Sequence, residues 1–300
     1  MEQIIIGTLE QGFMYAIMVL GVYLTFRVLD YADLTVDGSF TLGAAITATL
    51  ITSGVNPWIA TGMAVVGGSL AGVFTGILHA KFKITPLLSG ILTMTALYSI
   101  NLRVMGKANI SLLRARTIFT DFANLPFMDK YSVLILTVIA VIVCCIFLYL
   151  FLRTEFGLAV RATGDNEEMI VSQGVNTQLV KIIGLSLSNG MVAFAGSFVA
   201  QNQQFADVGM GIGMIIVGLA SVIIGEALIG NSSVGRTIIA VVFGAVVYRA
   251  VIALVLQLGL PPTDLKLVTA FIVIIALISP DLKQNLGRSG IWIKSRGKEG

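Results

Sequence analysis

Few residues in this 300-residue chain could do chemistry, and those few are polar groups set inside apolar runs. Asp37 and Ser39 stand at the head of one run, Asn101 near the end of another, Asn189 within a third and Gln201 near its close. An amide or carboxylate in such surroundings needs a partner, since burying it unpaired costs roughly 2–7 kcal/mol. The chemistry open to these residues is contact with a polar solute along a pathway, or the bonding of one helix to another. Asp37-Gly38-Ser39 reads equally as a helix cap followed by close packing and as a break in a pathway-lining helix, whose freed backbone must face protein or water. Gln201 opens an amide cluster that suits a solute or a helix end alike. Glu10 lies in the first run and should face the bundle interior, with Arg249 as its expected partner. His79, the single histidine, reads as an interfacial residue, and the adjacent Cys144 and Cys145 as packing residues without metal-ligand spacing. The chain has no Gly-x-x-x-x-Gly-Lys-Ser/Thr loop, no His-Glu-x-x-His and no Gly-x-Ser-x-Gly. Nothing supports catalysis, a metal or a cofactor in this chain itself.

A different chemistry belongs to residues 153–181, the longest polar interruption that reads as ordered. Asp165 or Asn166 can cap a short helix at about 166–173, with Glu167 and Glu168 in its first turn, where the helix dipole favours negative charge. Gly174 suits the left-handed residue that ends such a helix. A rigid knob between two apolar runs is a place for a partner to push; an ordinary ordered loop is the plain alternative.

The elements that position these residues are membrane spans. Of the residues, 56% are hydrophobic and 12% charged, with a mean hydropathy of +0.94. Soluble domains carry about 25% charged residues. Runs of about 20 apolar residues match a bilayer core. Nine spans are expected, at 4–26, 35–52, 57–80, 84–105, 131–152, 179–201, 209–229, 234–257 and 265–280. The fold class is therefore all-α and polytopic, one transmembrane unit over 1–300. With no basic stretch after Met1, the first run is expected to be retained rather than cleaved. Of the 19 Lys and Arg, twelve, among them Arg27, Lys81, Lys83, Arg153, Arg161 and Lys181, fall on the side of the polar segment, and seven on the other. The positive-inside rule puts the N-terminus outside and the C-terminus in the cytosol, with 153–181 cytosolic and 281–300 a basic cytosolic tail. The net charge of +3 is this topology signal, not a sign of nucleic-acid binding. Gly68, Gly72 and Gly76 make a small-residue strip for close helix contact. The run 131–152 is almost without polar groups and should face lipid. Residues 106–130 form the longest outer segment, a platform for an external protein or a plain loop. Glycines 209, 211 and 213 mark the kind of broken segment that forms binding sites in transporters.

Three stretches carry a resemblance. Arg161-Ala-Thr-Gly164-Asp-Asn-Glu167-Glu168 with Gly174 resembles the cytosolic coupling segment of bacterial ABC-importer permeases serving branched-chain amino acids, ribose and nucleosides. Asp33-Leu-Thr-Val-Asp37-Gly38-Ser39 is similar to that superfamily's early Asp-Leu-Ser-Val-Gly-Ser signature, from which Asp37 departs as an extra acid. The stretch from Leu88 through Met94 and Tyr98 to Arg103 resembles the subgroup paired with tryptophan/tyrosine-type binding proteins.

The resemblance implies a permease in the bacterial inner membrane and a pathway lined by two such chains, identical or not. It implies two cytosolic ATPase subunits, holding the ATP and Mg, that each receive a coupling helix, and an external substrate-binding protein. Arg161, Gly164, Glu167 and Gly174 would shape the knob, Glu167 and Glu168 would meet basic residues on the ATPase, and Arg161 could instead hold the knob to its own chain. The substrate implied first is an amino acid, with a sugar or nucleoside as runner-up. An ion-coupled secondary transporter, resting on Glu10, and a non-transporting scaffold are the rivals from other classes.

Overall fold

The computed structural model describes residues 2–123, 131–259, 264, 267–271 and 274. Helix α1 (Glu2–Tyr23) runs into a π-helical turn, Leu24–Val28, closed by the Leu29 amide on the Leu24 carbonyl at 3.1 Å. The chain reverses through Asp30, at a φ of 51°, and Asp33 starts α2 (Thr35–Thr52) by accepting from the Thr35 amide at 2.9 Å. Helices α3 (Pro57–Ala80) and α4 (Pro86–Met105) each open on a proline, whose missing N–H is no loss in a first turn. Gly106, at a φ of 66°, closes α4.

Strand β1 (Asn109–Ser111) and helix α5 (Ile118–Ala123) follow, then α6 (Ser132–Arg153). The polar segment forms two helices, α7 (Glu155–Asp165) and α8 (Glu167–Ser172), before α9 (Thr177–Gln203). Strand β2 (Phe205–Asp207) pairs antiparallel with β1, Ile110 opposite Ala206. Helices α10 (Met214–Ile229) and α11 (Val234–Gln257) complete the described fold.

Helices stand over eight of the nine expected spans, and six of them are long and apolar enough to cross a bilayer: α1 with its π turn, α3, α4, α6, α9 and α11. Of the span expected at 265–280 only residues 267–271 and 274 are described, and the tail at 281–300 lies outside the described residues. Two expectations need correction. The chain is not purely helical, because the β1–β2 ribbon ties the segment after α4 to the end of α9. The span expected over 209–229 begins only at Met214, since residues 208–213, with glycines at 209, 211 and 213, run as turns. At about 1.5 Å per residue its 16 residues reach roughly 24 Å, short of a bilayer core of about 30 Å.

Helix α9 is the centre of the bundle and α6 the rim: 72% of the apolar window of α9 is buried against 22% for α6. Glycines let α9 lie close to both neighbours. Side chains at Gly68, Gly72 or Gly76 of α3 would collide with Asn189–Ala193, Leu185–Ser186 and Ile182 of α9. A side chain at Gly43 of α2 would meet the Ala193 backbone, and one at Gly196 the Phe40 carbonyl. The Ser39–Asn189 and Thr47–Ser197 hydrogen bonds share a separation of 150 residues, so α2 and α9 run parallel. The exposed face of α6 is apolar throughout, with Ile139, Ile142, Val143, Ile146, Phe147 and Leu150.

Candidate functional site

Asp37 is where the fold departs from a simple bundle. It lies in the first turn of α2, and its carboxylate reaches across to the broken segment before α10. Oδ2 accepts from the Gly213 amide at 2.8 Å and Oδ1 from the Ile215 amide at 2.9 Å. Both amides belong to the helix start that has no intrahelical partner, and a carboxylate there also meets the positive end of the helix dipole. The Gly211 amide donates to Thr41 Oγ1 at 3.1 Å, and a side chain at Gly211 would strike the Asp37 carbonyl. The turns at 208–213 are thus held against α2 by hydrogen bonds and close backbone contact.

Beside this junction lies a cavity of about 360 Å³ between α2, α4 and the broken segment. Asp37, Thr41 and Asn101 give it polar wall; Met94, Tyr98 and Ile212 give it apolar wall. The Asn101 amide nitrogen donates to the Gly38 carbonyl at 3.2 Å, while its oxygen is buried with no partner.

The other polar residues singled out in the sequence lie elsewhere. Ser39 donates to Asn189 Oδ1 at 2.7 Å, and Asn189 Nδ2 donates to Asp33 Oδ2 at 2.7 Å, all three buried between α2 and α9. Gln201 accepts from the Ile118 amide at 2.9 Å and donates to Thr61 Oγ1 at 3.0 Å, joining α5 and α3 to the end of α9. The structure brings Asp37 and Asn101 together around the cavity and leaves Ser39, Asn189 and Gln201 in helix-to-helix bonding. Asp33 and Tyr98 stood in the stretches that carry the resemblance but were given no role, and Thr41 was not named. Asp33 also carried a local signal, an acid just before an apolar run; a place for Thr41 and Tyr98 in the cavity wall could not be read without knowledge of which helices meet.

At the opposite end of the bundle α7 and α8 form a single buttressed unit. The Thr154 side chain caps α7 through the Gly157 amide at 3.1 Å, and Asn166 caps α8 through the Met169 amide at 3.0 Å. Gly174, at a φ of 82°, ends α8. Lys181 of α9 holds Glu167 at 2.7 Å, and His79 of α3 stands 3.4 Å from the same ammonium. Partial burial alone would raise the Glu167 carboxyl, but the Lys181 hydrogen bond and charge, helped by Thr177 and His79, hold it below its ordinary 4.5. Ile170 is buried, while Glu168, Met169 and Val171 face outward. Gly164 packs α7 onto the π turn, where a side chain would strike the Val28 carbonyl. Arg161 lines a polar cleft of about 210 Å³ with Asp165, Arg27 and Glu226. In that cleft Arg27 Nε donates to Glu226 Oε1 at 2.9 Å, joining the π turn after α1 to the C-terminal part of α10. The expected Glu10–Arg249 pair is not formed: Arg249 lies over the Tyr15 ring, 3.5 Å from its centroid, and reaches Gln11 Oε1 at 3.5 Å.

A family profile described as branched-chain amino acid transport system, permease component, matches residues 4–278. The tyrosine transport system permease protein of Clostridioides difficile is 43% identical over 95% of this chain and 94% of its own. The galactofuranose transporter permease of Escherichia coli is 30% identical over 58% of this chain and 50% of its own. The ribose import permease of Bacillus subtilis is 26% identical over 64% of this chain and 59% of its own. No solved structure matches.

Proposed function

The chain belongs to the branched-chain amino acid transport system permease family, and from that premise we propose how it is assembled and what it carries. It is the permease subunit of an ABC importer, a multi-pass membrane protein and not an enzyme. Two copies line one pathway in the bacterial plasma membrane, with the N-terminus outside and the tail inside. Two separate ATPase subunits, carrying ATP and Mg, dock on the cytosolic face, and an external binding protein delivers solute to the β1–β2 end. The solute is an amino acid, aromatic by preference, in line with the tyrosine transport relative. A sugar is the second reading, favoured by the ribose and galactofuranose relatives.

The observation that carries this assembly is the α7–α8 unit. It is fixed to its own chain by Asn166, Ile170 and the Glu167–Lys181 pair, yet turns Glu168, Met169 and Val171 to the outside. A short rigid helix with an apolar outward side suits a cleft on a soluble partner. The pair also divides the work of the two acids: Glu167 braces the knob and Glu168 is free to meet a basic residue. Motion of the knob reaches α1 through Gly164 on the π turn, and α10 through Arg27 and Glu226. Co-purification tests this. The ATPase should come down with the intact chain and with Lys181→Arg, and should be lost with Met169→Asp combined with Val171→Asp. Retention by the double variant would sink the coupling role of α8.

A further inference from the structure

A line of hydrogen bonds runs from the knob to the head of α4, and His79, in the last turn of α3, is its middle member. The Ile84 carbonyl can only accept, so the His79 Nδ1 that stands 2.8 Å from it carries the proton. That bond fixes the tautomer. It leaves Nε2 with a lone pair, 3.4 Å from the Lys181 ammonium. The same ammonium holds Glu167 of α8 at 2.7 Å. An imidazolium here would set a second cation against Lys181; the neutral ring accepts from it instead.

On its other side His79 meets the entrance to α4 twice. Ile84 belongs to the α3–α4 turn, where Lys83 holds a φ of 56°, a left-handed conformation that side-chain-bearing residues disfavour. Backbone held in that way relaxes when its tie is released. Tyr31, in the reversal before α2, sets its ring at 71° to the imidazole, with centroids 5.1 Å apart. Its hydroxyl lies 2.5 Å from Ser89 Oγ and 3.2 Å from the Pro86 carbonyl, both in the first turn of α4. Farther along the same helix Met94, Thr95, Tyr98 and Asn101 line the cavity. The two bonds of Lys181 are unequal. That to Glu167 joins two ions at 2.7 Å, and that to His79 joins an ion to a neutral ring at 3.4 Å. A knob that moves therefore keeps the ammonium and strips it from His79.

We propose that His79 is a positioning residue of the transport cycle: it holds the α3–α4 turn while α8 rests against its own chain, and lets that turn and the head of α4 shift when the ATPase draws α8 away. The role rests on the importer function proposed above. It adds a route from the knob to α4, beside those to α1 and α10, so that the cavity wall formed by α4 answers to the same partner.

His79 is the single histidine of the chain, so the permease labelled with nitrogen-15 histidine, purified through a histidine-free tag and joined by unlabelled ATPase, gives one imidazole spectrum. At about pH 8, above the ordinary histidine range, Nδ1 should be protonated and Nε2 bare. A non-hydrolysable ATP analogue with Mg should then shift the Nε2 resonance as Lys181 leaves. The head of α4 is read in the same complex by a trifluoromethyl label on Leu88→Cys, with Cys144 and Cys145 replaced by Ala. The analogue should move the fluorine resonance in the intact chain and in His79→Gln, whose amide keeps one donor and one acceptor, and the shift should be lost in His79→Leu. A proton on Nε2, an imidazole spectrum indifferent to the analogue, or a shift retained in His79→Leu would overturn the role, as would its loss in His79→Gln. Should the leucine variant fail to fold, the imidazole spectrum of the unaltered chain decides. An ATPase that binds while His79 and α4 stay unmoved leaves the importer standing and removes the relay; absence of ATPase binding removes the importer function itself.

Discussion

Asp37 shows how one side chain can set the length of a helix several elements away. Without its carboxylate the Gly213 and Ile215 amides at the head of α10 would lose their partners. Replacing a capping Asp by Ala costs about 0.5–2 kcal/mol. Asp37→Ala should therefore lower the thermal midpoint in detergent by several degrees, while Asp37→Asn, which can still accept from Gly213 or Ile215, should lie between. Equal midpoints for Ala and wild type would show that the cap contributes nothing. Glu167 gives a second prediction at this scale. Its carboxyl is held below its ordinary value of 4.5 by Lys181, so the pair stabilises the knob above that pH and is lost as pH falls through the lower folded value. Amide exchange of α8, corrected for intrinsic rates, should rise as pH falls below about 4.5. In Lys181→Met it should already be raised at pH 7.

At the scale of elements, α3, α9 and α2 form a three-helix sandwich whose spacing is set by glycine. Gly72 is the middle one of Gly68, Gly72 and Gly76, and a side chain there would meet the Leu185 and Ser186 backbone. Backbone cannot give way as a side-chain tip can, so Gly72→Val should reduce the yield of folded protein severalfold, as overpacking of about 1–3 kcal/mol or more would. Gly62 faces open space on the same helix, so Gly62→Ala should be tolerated, which separates packing from helix propensity. This sandwich was largely legible in the sequence: apolar runs of span length and the spacing of Gly68, Gly72 and Gly76 survive in the fold. The capped knob was legible for the same reason, since Asn166 and Gly174 act through local rules. The shortened α10 was half legible. Its glycines announced a break, but the acid that makes the break stable lies some 176 residues earlier, and no local rule joins Asp37 to Gly213. The β1–β2 ribbon was not legible, because three-residue strands carry too few alternations to register. Glu10 and Arg249 look like natural partners in sequence, yet Arg249 turns to the Tyr15 ring, a contact that periodicity does not report.

At the scale of the molecule, two exposed faces differ in kind. That of α6 is apolar along its length, as lipid requires. That of α4 mixes Leu88, Ile91 and Leu92 with Thr95, Tyr98 and Ser99, and the cavity adjoins it. Polar side chains on an exposed membrane face mark contact with protein or water more than with acyl chains. With Cys144 and Cys145 replaced by Ala, Thr95→Cys or Ser99→Cys should give oxidative dimers in membranes, and Ile146→Cys on α6 should not. Dimers through Ile146→Cys alone would move the second copy to the other face.

The short helix α10 is held at both ends, by Asp37 at its head and by Arg27 at its foot. A rod pinned in that way behaves as a connecting link: travel imposed at the foot arrives at the head, beneath the cavity wall, less whatever slack the joints contain. The foot joint is a single ion pair whose arginine side chain is 49% exposed, so it is the looser of the two. Play in that joint is lost motion. The stroke delivered to the cavity, as distinct from the grip of any partner on the knob, is therefore set by how closely Arg27 stays with Glu226.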